Sequence, residues 1–320
     1  MASALQTLAA HLSADKGEKP LPSFDELPHF NEYTGCAWTV WGEDDQLGTI
    51  NLLTDDVVRR AAQEEIKTGR AVSLNWPLQF PDKPAFSRKP PQHKSIITAG
   101  GHRDDEIHIN TQSGTQWDGL KHFPVEDYNV LYKGIPVESL PVGEFSFPDP
   151  NNVDPNLIKL GIHNWAQHGI CGRGVFLDLV HYYTKSGGVL PYDPWTSHSI
   201  SVGELLDCAR AEGVTFRRGD ILLIRAGFIQ KFYTAGQAER DSLREKPETF
   251  AGIEQSEAMK RFLWKRFLVR SDADSEGEFF DLEALSKISA ETGRYTFFFS
   301  SWPLNVLGGT ASPPNAAAYF

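Results

Sequence analysis

Two short apolar runs lie in the second half of the chain: Val175-Phe176-Leu177-Asp178-Leu179-Val180 and, further along, Asp220-Ile221-Leu222-Leu223-Ile224-Arg225. Such runs are typical of strands that are buried on both faces of a sheet. A helix is predicted before each strand, the first from Asp154 or Pro155 to about His168 and the second from Ser201 to Gly213. This order of helix, strand, helix and strand predicts an α/β fold with helices on both faces of the sheet.

Segments on either side of this core predict further elements. The predicted helices run from Thr54 to Gly69, over 254–268 and over 281–292, and the predicted strands cover 71–76, 106–110 and 295–299. Residues 77–95 hold five prolines without periodicity, which indicates a long loop able to cover a site. Because no strong linker interrupts the chain, we predict a single domain over residues 36–320, preceded by an N-terminal arm over residues 1–35.

Bulk properties narrow the class of protein. The 320 residues include 31 Lys and Arg against 42 Asp and Glu, so the net charge is -11. An acidic chain without a basic stripe is a poor candidate for binding nucleic acid or anionic membranes. No apolar run approaches the length that crosses a bilayer, and the N-terminus lacks the pattern of a secretory signal. The three scattered cysteines, Cys36, Cys171 and Cys208, suggest neither disulfides nor a zinc cluster, so we expect a cytoplasmic protein.

The segment from Gln112 to His122 is the candidate site. It reads Gln-Ser-Gly-Thr-Gln-Trp-Asp-Gly-Leu-Lys-His and follows the alternating run 106–110, which predicts a strand with one buried face. Polar groups just past a strand end, on a turn set by glycines, lie where α/β proteins usually build sites. The alternative is a purely structural turn in which Asp118 and Thr115 only cap the next element.

The same segment resembles the signature of the Putative cyclase family, which includes bacterial kynurenine formamidase and isatin hydrolase. That signature is His-x-Gly-Thr-His-x-Asp-x-x-x-His. Gly114, Thr115, Asp118 and His122 match it, whereas Gln112 and Gln116 stand where the family carries two metal-binding histidines. Further similar stretches, closest to a fungal-type branch, are 172–178, 219–225, 252–256, 280–285 and 301–320. The resemblance implies a cyclase-like swivelling β/β/α fold, with a mixed sheet flanked by helices, and a homodimer or homotetramer.

A metal is the first of two expectations for the chemistry. In the family, the two histidines and the aspartate hold a divalent ion that polarises a carbonyl and activates water. Here Asp118 offers one carboxylate, and Gln112 and Gln116 offer amide oxygens. These three groups make a weak site for Mn²⁺, Mg²⁺ or Zn²⁺, because one of them is anionic and two are neutral amides. Zinc in addition prefers imidazole and thiolate ligands.

The second expectation keeps the pocket without a metal. Gln112 and Gln116 would then donate N–H groups to a substrate carbonyl or oxyanion, and His122 would transfer protons. Asp118 would orient the imidazole, since the two residues share a face if the segment is helical. The structural alternative for His122 is a core histidine with both nitrogens satisfied.

Three further residues are candidates for substrate binding. Trp117 lies inside the motif and could line an aromatic slot, and His108 shares a strand face with Gln112 if the alternation continues. Glu278 matches a family glutamate that supports the site. Before Glu278 the chain lacks a family histidine and is shortened, so residues 269–276 predict an exposed, mobile loop.

Together these residues predict a hydrolase. The expected reaction is arylformamidase-like cleavage of an amide, lactam or related carbonyl bond in a small aromatic or cyclic molecule. One alternative is a metal-free isomerase, dehydratase or cyclase of secondary metabolism. The other is a non-catalytic family member that binds a small molecule.

Overall fold

The computed structural model describes residues 21–244, 248–266 and 277–320. The first part of the predicted N-terminal arm and the predicted loop at 269–276 therefore lie outside the described residues. The predicted homodimer or homotetramer stays a prediction. Within the described residues, no helix is both long enough and apolar enough to span a bilayer.

Over the described ranges the chain forms fourteen strands and nine α-helices. The strands are β1 Ala71–Ser73, β2 Gln92–Ile97, β3 Arg103–His108, β4 Gln116–Asp118, β5 Val130–Leu131, β6 Ile135–Pro136, β7 Ile170–Asp178, β8 His198–Ile200, β9 Ile221–Arg225, β10 Ala251–Ile253, β11 Gly277–Glu278, β12 Thr296–Ser301, β13 Ala311–Ser312 and β14 Ala316–Tyr319. The helices are α1 Asp55–Glu65, α2 Pro155–Ile158, α3 His163–His168, α4 Leu179–Thr184, α5 Val202–Ala211, α6 Phe228–Thr234, α7 Gln237–Asp241, α8 Glu257–Arg266 and α9 Glu283–Thr292.

A five-stranded mixed sheet forms the centre of the fold, in the order β1-β14-β12-β7-β9. Strands β7 and β9 are parallel, and α4 and α5 lie in the connection between them. Strand β12 runs antiparallel to both β7 and β14. A parallel pair needs a long crossover connection, which is the pattern predicted from residues 155–225. The predicted α/β class, with a mixed sheet flanked by helices, is confirmed.

The side chains of β7 divide between the two faces of the sheet. Phe176 joins one apolar core, which includes residues of α9, whereas Val175 and Leu177 join a second core with residues of α5 and α8. All three side chains are fully buried. The apolar residues 175–177 within β7 therefore have the physical cause inferred for them, because alternating side chains find helix-covered faces. The predicted strand ends before Val180, since Leu179 and Val180 belong to α4.

The helix predicted from Asp154 or Pro155 to His168 is wrong as a single element. The structure has two short helices, α2 and α3, separated by residues 159–162. Leu160 between them adopts a left-handed φ of 56° and its N–H donates to Gln46 Oε1 at 2.9 Å. A left-handed residue cannot continue a right-handed helix, so the local propensity is overridden there.

The buried face predicted for residues 106–110 is also wrong. Strand β3 pairs with β2 as a two-stranded hairpin, and all six residues of β3 are exposed. The alternating pattern there reflects a ribbon in solvent and not a strand packed on the core. Strand β2 itself begins inside the predicted loop 77–95, which is otherwise without strands.

Candidate functional site

The central motif lies on a small three-stranded sheet in the order β11-β4-β13. Gln116 and Asp118 point to one face of β4, and Trp117 points to the other, because side chains alternate along a strand. Strand β11 pairs antiparallel with β4 and places Glu278 directly opposite Gln116. Directly opposed residues share a face, so two carboxylates and an amide are brought together there.

Two glycines let the chain pass close to neighbouring backbone. A Cβ at Gly114 would lie 2.5 Å from the carbonyl oxygen of Phe80, and one at Gly119 would lie 2.6 Å from that of Thr310. These distances are too short for any larger residue. The glycines of the motif therefore set its position, and their role is structural.

Thr115 holds the motif between two other segments. Its Oγ1 accepts a hydrogen bond from the backbone N–H of Trp76 at 2.9 Å and donates to the carbonyl oxygen of Phe279 at 2.6 Å. Thr115 therefore has a structural role, but it joins two distant segments and does not cap the next element. Asp118 behaves differently, because its contacts are with side chains of the candidate site.

Five side chains form what we call the polar cluster: Gln112, Gln116, Asp118, His122 and Glu278. Nε2 of Gln112 lies 2.9 Å from Asp118 Oδ1 and 2.8 Å from His122 Nε2. Nε2 of Gln116 lies 3.0 and 3.2 Å from the oxygens of Asp118 and 3.1 Å from Glu278 Oε2. His122 Nε2 and Asp118 Oδ2 are 4.0 Å apart. The sequence thus placed four interacting groups within one short segment.

The approach of Asp118 and His122 is made by a turn and not by a helix. Strand β4 ends at Asp118, and the backbone N–H of His122 then donates to Gly119 O at 3.0 Å. The turn folds His122 back over the strand end. The segment from Asp118 to His122 is therefore not helical, as the expected sharing of a helix face required, but the two side chains still lie close together.

Burial sets the protonation of the cluster. Gln116 is fully buried and Asp118 is 5% exposed, whereas the His122 side chain is 21% exposed. Burial raises the pKa of Asp118, against the opposing effects of His122 and the two amides. Burial also lowers the pKa of His122, against the attraction of Asp118. His122 is therefore neutral near pH 7, and a neutral imidazole can accept a proton.

The remaining sequence candidates are not all brought to the cluster. Trp117 is half-buried on the opposite face of β4, where its Nε1 donates to Ser301 Oγ at 2.8 Å. His108 is exposed at the end of β3, with its ring nitrogens 3.3 and 3.4 Å from Lys89 Nζ. The strand ends at His108 and a turn follows at Asn110, so the alternation does not carry His108 to Gln112.

Arg88 is a site residue that the sequence did not single out. Its Nη1 donates to the backbone oxygen of Gln112 at 2.7 Å, and its charge contributes to lowering the pKa of His122. It comes from the proline-rich segment that was expected to cover a site. No local sequence pattern distinguishes this arginine. Its partner, the backbone oxygen of Gln112, comes within reach only when the chain folds and the proline-rich segment lies across the motif.

The orientation of the two amides does not favour a divalent cation beside Asp118. A cation needs oxygen lone pairs, yet both amides present N–H groups to Asp118, which is the place a cation would take. One feature points the other way, because the buried Gln116 Oε1, an oxygen that could bind a cation, has no hydrogen-bond partner among the described residues. In that same part of the chain, no three His, Cys, Asp or Glu side chains converge as metal ligands. The metal roles expected for Gln112, Gln116 and Asp118 stay a prediction.

Comparison with known proteins gives a family and a fold. The family model described as Putative cyclase matches residues 72–271, a range that contains the whole motif but not Glu278. The crystal structure of a novel cyclase is similar over 89% of this chain and 99% of that chain, with 28% identity and a TM-score of 0.72.

Two more distant structures are isatin hydrolases. One is an isatin hydrolase bound to the product analogue thioisatinate, with 13% identity, a TM-score of 0.45 and coverage of 81% of this chain and 94% of that chain. The other is isatin hydrolase A from Ralstonia solanacearum, with 15% identity, a TM-score of 0.44 and coverage of 78% and 91%. No curated protein is similar enough to count as a match.

Proposed function

We propose, because the chain belongs to the Putative cyclase family, that it is an enzyme hydrolysing an amide, lactam or related carbonyl bond in a small aromatic or cyclic molecule. The observation that supports this most is the contact between His122, Gln112 and Asp118. A partly exposed, neutral imidazole beside a buried carboxylate and an amide N–H is the set of groups that water addition to a carbonyl requires.

His122 is the proposed proton-transfer group. It takes a proton from water as the water oxygen adds to the carbonyl carbon, and it returns that proton to the leaving nitrogen or oxygen. The Asp118 carboxylate, 4.0 Å away, stabilises the imidazolium that forms in between. Its high burial makes that attraction stronger than it would be in water.

The two amides have different proposed roles. In the resting site Gln112 Nε2 lies against His122 Nε2 at 2.8 Å. Once that ring nitrogen carries a proton it can no longer accept, so an N–H of Gln112 becomes available for the oxygen of the tetrahedral intermediate. Gln116 is fully buried and its Nε2 already contacts Asp118 and Glu278, so it is a positioning residue.

A metal-free isomerase, dehydratase or cyclase is the second candidate. The amide N–H groups around Asp118 favour it, because they stand where a metal ion would otherwise bind. Proton transfer by His122 is then the chemistry that the cluster offers directly. The same residues would then enolise a substrate, and no water would enter the product. A non-catalytic binding role is the remaining alternative.

The test is a panel of formanilides, isatins, related lactams and aryl esters, incubated with the purified protein in ¹⁸O-labelled water. The hydrolase proposal expects turnover with label in the product, unchanged after treatment with a strong chelator. Turnover without label would replace the hydrolase by the isomerase or cyclase. Turnover abolished by the chelator and restored by one added metal would overturn the metal-free chemistry, and no turnover on any member would favour the binding role.

A further inference from the structure

Arg88 is a half-buried arginine that forms no ion pair with any acidic side chain of the described residues. Its Nη1 donates to the backbone oxygen of Gln112 at 2.7 Å, and its guanidinium lies 5.0 Å from the centre of the Phe86 ring. Neither of these partners is charged. The buried arginines Arg173 and Arg225 differ, because each pairs with two carboxylates at 3.0 Å or less. The charge of Arg88 is therefore available to an anion.

The backbone in front of Arg88 fixes its position against the motif. Phe86 and Ser87 have φ angles of 56° and 54°, in the left-handed region that is costly for residues other than glycine. The N–H of Phe86 donates to Glu248 Oε1 at 2.6 Å, and Arg88 itself is bonded to Gln112. Two consecutive left-handed residues persist only where the surrounding structure imposes them. The folded chain therefore holds the guanidinium at this place.

The charge of Arg88 acts on the polar cluster. Gln112, whose backbone oxygen binds Arg88, also places its side-chain Nε2 2.8 Å from His122 Nε2. Burial raises the pKa of Asp118 and lowers the pKa of His122, and the positive charge of Arg88 acts on both groups in the lowering direction. Arg88 therefore belongs with the cluster, although it comes from a different segment.

Hydrolysis of a carbonyl bond places negative charge on the carbonyl oxygen. As the water oxygen bonds to the carbonyl carbon, an electron pair of the C=O bond moves to its oxygen, and the water proton goes to His122. The charge of the resulting imidazolium is matched by Asp118, and the amides of the cluster are neutral. A guanidinium offers several N–H groups and a permanent charge, so it stabilises an oxyanion more strongly than a neutral amide does.

We propose that Arg88 forms an anion-binding position at the polar cluster and is a further catalytic residue, which binds the negatively charged oxygen of the tetrahedral intermediate. The catalytic use of Arg88 rests on the proposed function, whereas the binding of an anion does not. A neutral substrate gains little from this charge and the intermediate gains most, which is the condition for a higher kcat.

The first experiment measures turnover of the best neutral substrate of the panel by Arg88→Gln. Because Arg88 acts on the intermediate, kcat is expected to fall about a hundredfold with little change in KM. Lys89→Gln is the matched control, since it removes the neighbouring charge, which lies beside the exposed His108, and should leave both constants unchanged. An unchanged kcat in Arg88→Gln overturns the catalytic role.

Chemical rescue separates this role from a structural one. Arg88→Ala removes the guanidinium, and millimolar guanidinium chloride is expected to restore part of its kcat, because the free cation can bind the same oxyanion. An equal concentration of sodium chloride should restore nothing. An Arg88→Ala variant that responds alike to the two salts contradicts the proposal.

Binding of a charged probe tests the anion position without turnover. Methyl phenylphosphonate is a tetrahedral monoanion, and dimethyl phenylphosphonate is its neutral analogue of similar shape. Calorimetry is expected to show at least about tenfold weaker binding of the monoanion to Arg88→Gln than to the wild type, with equal binding of the diester. Equal binding of the monoanion to both proteins overturns the anion position. If Arg88 binds the monoanion but the wild type turns over no member of the panel, the hydrolase proposal falls and the anion position stands.

Discussion

At the scale of single residues, Gln112 and Gln116 decide what the site can do. Asp118 is 5% exposed, and a buried carboxylate must be compensated by a cation or by hydrogen-bond donors. The two amides supply those donors at 2.9 and 3.0 Å. Histidines at these two positions would instead point the lone pairs of ring nitrogens towards Asp118. A bound metal ion would then have to compensate the charge of the carboxylate.

The double variant Gln112→His/Gln116→His is therefore expected to acquire metal binding. With Asp118 it would present two imidazoles and one carboxylate, a ligand set that suits zinc. Elemental analysis after dialysis against micromolar zinc should find about one zinc per chain in the variant, and far less in the wild type. Addition of Asp118→Asn is the control and should remove the metal. A wild type that already retains one zinc per chain would contradict our account of the amides.

At the scale of elements, one hydroxyl joins three segments. Thr115, at the start of the motif, bonds to Trp76 beyond β1 and to Phe279 beyond β11. The motif and the strand that carries Glu278 are thereby fixed to each other. Loss of the hydroxyl should loosen the whole assembly and not one side chain alone.

Thr115→Val is expected to lower the free energy of unfolding by about 1–3 kcal/mol, because it leaves the buried N–H of Trp76 and the partly buried carbonyl of Phe279 unpaired. Thr115→Ser keeps the hydroxyl and is the matched control. Urea unfolding of both variants gives the comparison. Equal stability of the Val and Ser variants would show that the hydroxyl does not tie these segments together.

The elements also show what the sequence can and cannot predict. Strands β7 and β9 were predicted because their runs are apolar on both faces. The break at Leu160 and the exposed hairpin β2–β3 were not, since both depend on contacts formed only in the folded chain. The same holds for the site. The cluster within 112–122 is local, whereas Arg88 arrives from a loop and the approach of Glu278 comes from pairing between β4 and β11.

At the scale of the whole molecule, Glu212 makes stability depend on pH. It lies at the end of α5, where its Oε1 accepts from the backbone N–H of Asp178 at 3.1 Å. Burial raises the pKa of Glu212 to about 8 from an ordinary value of 4.5. Between these values the folded chain binds a proton more readily than the unfolded chain, so the contribution of Glu212 to stability falls as pH rises from about 4.5 to about 8.

Glu212→Gln should remove this part of the pH dependence, since the amide keeps the acceptor oxygen without the charge. The urea midpoint of the variant is expected to fall less than that of the wild type between pH 5 and pH 8.5. Glu126→Gln, at an exposed position, serves as the control and should follow the wild type. Parallel curves for all three proteins would remove Glu212 as a source of the effect.

The central claim is that the polar cluster is the reaction centre and that His122 moves the proton. Its most direct test is the turnover of His122→Ala on the best substrate of the panel, with His108→Ala, at an exposed histidine, as the control. We predict a fall of about a hundredfold or more for His122→Ala and unchanged turnover for the control. Wild-type turnover in His122→Ala would contradict the account.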